Sequence, residues 1–387
     1  MTTATTSSDA IELRDRVRDA AGRRLALRVA GRGSWLDANR PVQAEATLDV
    51  SGHSGIVEYE PGDLTLTARA GTTLEEIARA TAAHGQWLSL DPYGDPTRSS
   101  LGATIVTASY GPLAHQFGTP RDMTLGVEFV AGTGDIVRGG GRVVKNVAGF
   151  DLTRLVTGSW GTIGVITEAT VRLRAIPPVQ ATLAIDVAGA ETEIERLRAA
   201  LRTLPFMPLA AQLLDATATR LLGAGDRVGA LLVRLGGNEE AVRDQREQLR
   251  SLGDARTIDA AVWDDLRVAE PARAAVVRFS RRSSMFASTW RTGMRIVERW
   301  PSAAYCHGDP GRGVVRIVLP LAEDTSEAEL RSALDVSFEG ARIYERLPPS
   351  LWESLASPSL HGQLQCGVKT AFDPSNVLNP GILGELQ

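Results

Sequence analysis

Residues 139–168 read Gly139-Gly140-Gly141-Arg142-Val143-Val144-Lys145-Asn146-Val147-Ala148-Gly149-Phe150-Asp151-Leu152-Thr153-Arg154-Leu155 and then, after Val156-Thr157, Gly158-Ser159-Trp160-Gly161-Thr162-Ile163-Gly164-Val165-Ile166-Thr167-Glu168. Glycines set among β-branched residues let backbone N–H groups approach an anionic ligand, because a Cβ at the tightest points would block the approach. Two upstream segments share the trait. Ala30-Gly31-Arg32-Gly33-Ser34-Trp35 follows an alternating apolar stretch that reads as a strand. Asp91-Pro92 leads through Ser99-Ser100-Leu101-Gly102-Ala103-Thr104 to Thr107-Ala108-Ser109-Tyr110-Gly111, where small residues are packed densely enough to surround a flat ring system. Taken singly, the first segment also reads as a plain turn, and the second as a tight loop leading into a short Ala/Thr-rich helix.

Outward from these segments, a helix is expected over 11–21 and strands over 25–30, 45–50 and 64–70. Thr72 and Thr73 ahead of Leu74, Ile77 and Ala78, with Glu75 and Glu76 in the first turn, predict a capped helix and make the first lobe βαβ-like. Gly132-Thr133-Gly134 between two apolar runs predicts a hairpin, and 161–174 a long strand. Pro177-Pro178 then interrupts regular structure, which places a domain boundary at about residue 178. Lobes of about 24–90 and 91–178 are expected in the first unit, a second unit at 179–345, and a turn-rich segment at 346–387 that returns to the first. In the second unit, helices over 191–204, 239–252, 285–299 and 327–334 alternate with short strands. This pattern fits an α+β domain with one curved, mostly antiparallel sheet covered by helices on one face.

With 387 residues and 43% hydrophobic content, the chain can bury two or three cores. Its net charge of -4 is spread without a long basic run, which argues against nucleic acid as a partner. Cys306 and Cys366 alone cannot build a disulfide scaffold or an iron-sulfur site, so a reducing cytoplasm is expected. The start Met1-Thr2-Thr3-Ala4-Thr5-Thr6 lacks a basic n-region, and no uncharged apolar stretch could span a bilayer. Attachment to the inner membrane through partners stays open. Gly223-Ala224-Gly225-Asp226-Arg227-Val228-Gly229 follows a helical segment and precedes a strand, the reverse of a Rossmann fingerprint, and the GxxxxGK[ST] signature is absent.

In this order the glycine segments resemble the PCMH-type FAD-binding domain of the vanillyl-alcohol oxidase superfamily, most closely that of the FAD-binding subunits of bacterial glycolate oxidases. The resemblance covers about residues 24–176, with an echo in Ala371-Phe372-Asp373-Pro374-Ser375-Asn376-Val377-Leu378-Asn379-Pro380-Gly381, and Lys145 to Asp151 is its most specific string. It implies that Gly31, Arg32, Gly33, Ser34 and Trp35 wrap the FAD pyrophosphate. Pro92, Ser100, Leu101, Gly102, Ala103, Thr107, Ala108 and Gly111 would run beside the flavin, and Gly161, Gly164, Val165 and Ile166 would flank the adenosine side. Ala103 stands where many relatives carry glycine, and Arg32 replaces another, where its guanidinium reaches phosphate or solvent. No histidine lies in 30–37, so a dissociable, non-covalent FAD is expected.

Relatives that act on 2-hydroxy acids carry histidine-rich metal motifs, whereas Cys306-His307-Gly308-Asp309-Pro310-Gly311 holds a single histidine and His361-Gly362 another. His307 therefore reads as a surface or packing residue and no metal is expected; His53, His84 and His115 stand alone as well. Arg278 and Arg281, with Arg282, are the candidates for binding a substrate carboxylate, balanced against solvated strand residues. The resemblance implies a redox subunit that works with a homologous flavin subunit and an iron-sulfur subunit to oxidise glycolate to glyoxylate, the partner reacting with the acid. A stand-alone FAD-dependent oxidase or dehydrogenase of a small hydroxy acid and a non-catalytic scaffold subunit are the alternatives.

Overall fold

The computed structural model describes residues 8–141, 151–250, 252–300, 303–355 and 363–383, so Lys145 to Phe150 and His361 lie outside the described residues. Near the N-terminus, β1 (Leu27–Ala30) and β2 (Ala46–Asp49) form a parallel pair. Leu13, Val17 and Ala20 of the helix Ser8–Arg23 pack on this pair with Val377 and Leu378 from the far end of the chain. That end is tied down firmly: Leu27 bridges Leu378, and the Val29 amide donates to Asn379 Oδ1 at 2.8 Å. The buried Lys369 ammonium donates to Asp373 at 2.5 Å and to the Thr162 and Leu378 carbonyls at 2.7 and 3.0 Å.

The next strands are β3 (Ile56–Glu60), β4 (Thr65–Arg69), β5 (Gln86–Trp87), β6 (Thr124–Ala131), β7 (Ile136–Gly140), β8 (Gly164–Arg172) and β9 (Arg174–Ala175). Five of them make an antiparallel sheet ordered β3-β4-β8-β6-β7, while β5 pairs with β9. A split of this part at residue 90 is not what the sheet shows. β4 pairs with β8 from Thr65 against Arg172 to Arg69 against Glu168, so chain from both sides of residue 90 shares one sheet. The helix Leu74–Ala82 carries the expected cap, a reciprocal box between Thr73 and Glu76. Its Leu74 and Ile77 pack with Leu66, Ala68 and Val171 of this sheet, so it does not complete a βαβ unit with β1. Sequence periodicity could not reveal this, because the partner strand β8 lies some hundred residues away.

Past Pro177-Pro178 come β10 (Val179–Val187), β11 (Ala210–Leu214), β12 (Gly229–Gly237), β13 (Ala255–Ile258), β14 (Ala274–Ser280), β15 (Tyr305–Asp309), β16 (Val314–Pro320) and β17 (Ala341–Arg346). They form one sheet in the order β13-β10-β12-β11-β15-β16-β14-β17, every pair antiparallel, so the fold class is α+β. The helices Glu191–Thr203, Glu239–Leu249, Phe286–Arg299 and Glu327–Leu334 cover one face through a large apolar core. Cover on one face alone is a misreading: the helices Ala216–Leu221 and Val262–Val268 pack on the other through Ala218, Val262, Trp263 and Leu266. The reason lies in the strands themselves, since all five residues of β11 are buried and both of its faces need a lid. The rest of that second face looks onto the glycine segments of the first unit across a cavity.

Candidate functional site

A narrow slot runs between β1, the loop after it, the helix Leu101–Val106 and the turn before β8. Among the described residues, nine of its wall residues are Gly or Ala, including Gly31, Gly33, Gly71, Gly102, Gly161 and Gly164, and none is acidic. Close approach explains the small side chains. A Cβ on Gly31 would stand 3.0 Å from Ser100 Oγ, and one on Gly102 would stand 2.7 Å from the Cβ of Ala70. Gly33 and Gly161 take φ of +83° and +69°, which side-chain-bearing residues rarely adopt. Ala108 and Trp160 adopt +52° and +54° without that excuse, on two loops that meet where the Trp160 amide donates to the Val106 carbonyl at 2.7 Å. Strain of this kind persists where the surroundings over-determine it, and it clusters at binding sites.

The slot opens into a larger cavity of about 490 Å³, and Trp35, Arg40, Thr107 and Trp160 line both. Arg40 is the hinge between them. Its guanidinium lies 4.1 Å from the ring centre of Trp160 and 4.5 Å from that of Trp352, and it donates to the carbonyls of Ile382 and Tyr344 at 3.3 and 3.0 Å. Its Nε is buried and, among the described residues, has no hydrogen-bond partner. Burial, only partly offset by Glu345, pulls this guanidinium down to about 10.

The far wall of the cavity is the sheet face of β14, β15, β16 and β17. In register, Arg278 faces Arg316 across β14 and β16, and Arg316 faces His307 across β16 and β15. Two guanidiniums share one carboxylate: Arg278 Nε donates to Glu345 at 2.6 Å, and Arg316 donates to it from Nε at 2.8 Å and from Nη2 at 2.6 Å. Arg316 also reaches Glu270 at 2.6 Å. Burial alone would raise Glu345, yet the two cations hold it down at about 2. His307 is 1% exposed, and its Nδ1 lies 3.4 Å from Gln212 Oε1. Burial, reinforced by Arg316, pushes it down to about 3, so the wall presents a neutral imidazole that can exchange one hydrogen bond but cannot store a proton near neutral pH. The cavity wall carries seven arginines against four carboxylates, a surplus that favours an anion.

A family model described as an FAD binding domain matches residues 5–140. The glycolate oxidase subunit GlcE of Escherichia coli is 36% identical over 257 residues, covering 66% of this chain and 67% of that protein. The subunit GlcD of Bacillus subtilis is 27% identical over 368 residues, 84% of this chain and 76% of its own length. A D-lactate dehydrogenase of Archaeoglobus fulgidus is 26% identical, covering 84% and 78% of the two chains. Among solved structures, p-cresol methylhydroxylase with substrate bound superposes with a TM-score of 0.75 at 17% identity, over 98% of this chain and 88% of that one. The chain belongs to the PCMH-type family of FAD-binding oxidoreductases. FAD is its cofactor, and the slot suits one: among the described residues it is walled by small side chains, holds no carboxylate, and ends at a guanidinium whose buried Nε has no partner.

Within this flavoprotein the predicted residues divide. Gly31, Gly33, Trp35, Ser100, Gly102, Ala103, Thr107, Gly161, Gly164 and Ile166 line the slot, and Ser34, Ala108 and Gly111 line the cavity beside it. Arg32, Pro92, Leu101 and Val165 line neither. Leu101 and Val165 are core residues, Arg32 Nε donates to the Gly71 carbonyl at 3.1 Å, and the Pro92 carbonyl accepts from Arg267 at 3.2 Å. His307, expected at the surface or in packing, is a buried wall residue of the cavity. Arg278 lines the cavity, but Arg281 lies over the Phe338 ring on the helix-covered face. Arg281 stands one residue beyond the end of β14, three on from Arg278, and lies on the opposite side of the sheet, so the two do not meet one ligand. Sequence reasoning missed Arg40, Tyr110, Arg312, Arg316 and Glu345. Only Arg316 left a signal, as a charge inside the apolar run Val314-Val315-Arg316-Ile317-Val318-Leu319. Among the described residues no group of three or more His, Cys, Asp or Glu side chains could hold a metal, and no helix is long and apolar enough to cross a membrane.

Proposed function

We propose that this chain is an FAD-binding subunit of a complex that oxidises a small 2-hydroxy acid, glycolate to glyoxylate in the first instance, and that it receives the acid in its own cavity. The observation that carries the reading is the arginine surplus in a cavity that opens directly onto the glycine slot. A carboxylate entering there meets cations, beside the slot whose residues would hold the cofactor. FAD, when bound, supplies the acceptor for two electrons. Gly31, Gly33, Ser34 and Trp35 together with Arg40 would hold the pyrophosphate. Ser100, Gly102, Ala103 and Thr107 would stand beside the flavin, and Gly161, Gly164 and Ile166 beside the adenosine. The buried sheet wall keeps water from the reacting carbon, and neutral His307 offers a hydrogen-bond acceptor to the substrate hydroxyl.

GlcE and GlcD are named as subunits of glycolate oxidase, which supports assembly with a homologous flavin subunit; an iron-sulfur subunit is the further partner proposed, because this chain has only Cys306 and Cys366. Anaerobic mixing of the purified holoprotein, alone and in its native complex, with glycolate, D-lactate and other 2-hydroxy acids tests the reading. Bleaching of the flavin by at least one of them is expected in both preparations. A flavin that no 2-hydroxy acid reduces in either one overturns it, and bleaching confined to the complex places the reacting site on a partner.

A further inference from the structure

We propose that Tyr110 and Arg312 hold the substrate's carboxylate, and that Arg278 is a positioning residue for Tyr110 rather than the clamp. The inference rests on the hydroxy-acid reading above and adds which groups meet the acid.

The arginines that reach the cavity are not equally available. Arg278 and Arg316 are engaged with Glu345 at 2.6 Å each, and Arg316 with Glu270 as well. A second carboxylate would have to compete with a buried one already held by two cations. Arg40 sits between two tryptophans at the junction with the slot, on the cofactor's side. Arg312 differs from all of these. Among the described residues it has no carboxylate at ion-pair distance: Nη1 donates to the Ala114 carbonyl at 2.9 Å, and Nε is buried without a partner.

Tyr110 stands beside it, with the Arg312 guanidinium 5.0 Å from its ring centre and that of Arg278 at 5.2 Å. Its hydroxyl oxygen accepts from Arg278 Nη1 at 2.9 Å. Accepting from a cation polarises the O–H, and among the described residues that proton has no acceptor. An O–H and a guanidinium, both short of acceptors on one cavity wall, match the two oxygens of a carboxylate. The backbone that carries Arg312 is held in place, since Asp309 Oδ1 accepts from the amides of Gly311 and Arg312 at 2.8 and 3.1 Å and lies 2.9 Å from His115 Nδ1. Asp309 belongs to β15 and His115 to the helix Ala114–Phe117, so Arg312 is anchored where the two sides of the cavity meet.

The test uses 2-hydroxyisobutyrate, a hydroxy acid with no α-hydrogen to lose, and its neutral amide, each titrated calorimetrically into the FAD-loaded chain. Arg312→Met is expected to weaken the carboxylate by about 10- to 100-fold, the range for a lost charge-assisted pair, and to leave the amide unchanged. Arg312→Lys, which keeps the charge without the fork, is expected to fall between, and Tyr110→Phe to weaken the acid by about 3- to 10-fold. Carboxylate binding unchanged in Arg312→Met overturns the assignment, as does equal weakening of acid and amide, which marks a structural role. A wild-type chain that binds no carboxylate overturns this assignment and the hydroxy-acid reading together, whereas an acid-reducible Arg312→Met with unaltered KM overturns the assignment alone.

Discussion

The glycine slot and the arginine cavity share four wall residues, yet one is made of backbone and the other of side chains. The slot's shape comes from what its residues lack, since Gly31 and Gly102 let a loop, a helix and a strand close to contact distance. The cavity wall depends instead on charges supplied by separate strands, with Arg278, Arg316 and Glu345 brought together only when β14, β16 and β17 pair. Backbone closeness is tolerant of charge and intolerant of volume. The charge network is the reverse, and substitutions of each kind should separate the two regions.

The largest effect is expected at Glu345. Replacing it by Gln keeps the volume and leaves the guanidiniums of Arg278 and Arg316 without the anion between them. Removing one member of a buried ion pair costs about 3–5 kcal/mol, far more than a surface pair returns. Urea unfolding of Glu345→Gln should show a loss of that order with FAD content unchanged in the surviving folded fraction. A loss below about 1 kcal/mol would mean that water, and not Glu345, balances these cations.

A smaller effect, dependent on pH, is expected at Asp91, which packs behind Gly111 of the cavity wall. Asp91 is buried, both of its oxygens accept from the Leu113 amide at 3.1 and 3.0 Å, and Gly111 packs so closely that a Cβ there would overlap the Asp91 carbonyl. Burial pushes this carboxyl up to about 7, against the pull of Arg267 and the Leu113 amide. Since the folded value exceeds the unfolded one, the native chain binds a proton that the unfolded chain releases between about pH 4 and 7. The stability from this group is complete below the unfolded value and is lost as pH rises through the folded one. Asp91→Asn removes the titration, so its stability should fall by about 3–4 kcal/mol less than the wild type's between pH 4 and 8. Parallel curves for the two proteins over that range would show that Asp91 ionises as freely as an exposed carboxylate.

What could be read from the sequence follows the same division. The capped helix after Thr73, the Gly132-Thr133-Gly134 hairpin, and the strands β11 and β16 were legible because turn chemistry and apolar periodicity are local signals. The slot was legible for a related reason: glycines needed for close approach stand in the chain as glycines. β17 went unread because Arg342, Glu345 and Arg346 break its alternation, and two of these, Glu345 and Arg346, are cavity residues. β15 went unread because Cys306-His307-Gly308-Asp309 resembles a loop. Arg278 was singled out together with Arg281, yet only Arg278 reaches the cavity while Arg281, just past β14, lies over Phe338, and the pairing that matters, Arg278 with Glu345, joins residues 67 apart. Charges that find partners only in the tertiary structure leave almost no local trace, and Arg40, held by tryptophans far along the chain, left none.

The smallest effect on stability, and the clearest on cofactor, is expected from Gly102→Ala. Two terms oppose one another. Alanine inside a helix is favoured over glycine by about 1 kcal/mol, and Gly102 lies within the helix Leu101–Val106 without a positive φ. Against this, the new methyl would stand 2.7 Å from the Ala70 Cβ and 3.1 Å from the Ala70 carbonyl, both backbone-fixed, and overpacking of this kind costs about 1–3 kcal/mol. Overpacking wins, by about 1–2 kcal/mol at most, because the six-residue helix can relieve the clash by moving away from β4. That movement carries Ser100, Ala103 and Thr107 with it and reshapes the slot while leaving the Arg316–Glu345 wall in place. The variant should therefore fold with nearly wild-type stability yet lose FAD on equilibrium dialysis, the converse of Glu345→Gln. If Gly102→Ala kept its FAD and gained stability, helix propensity would have prevailed, and the slot would owe its shape to something other than the close approach of Gly102 to Ala70.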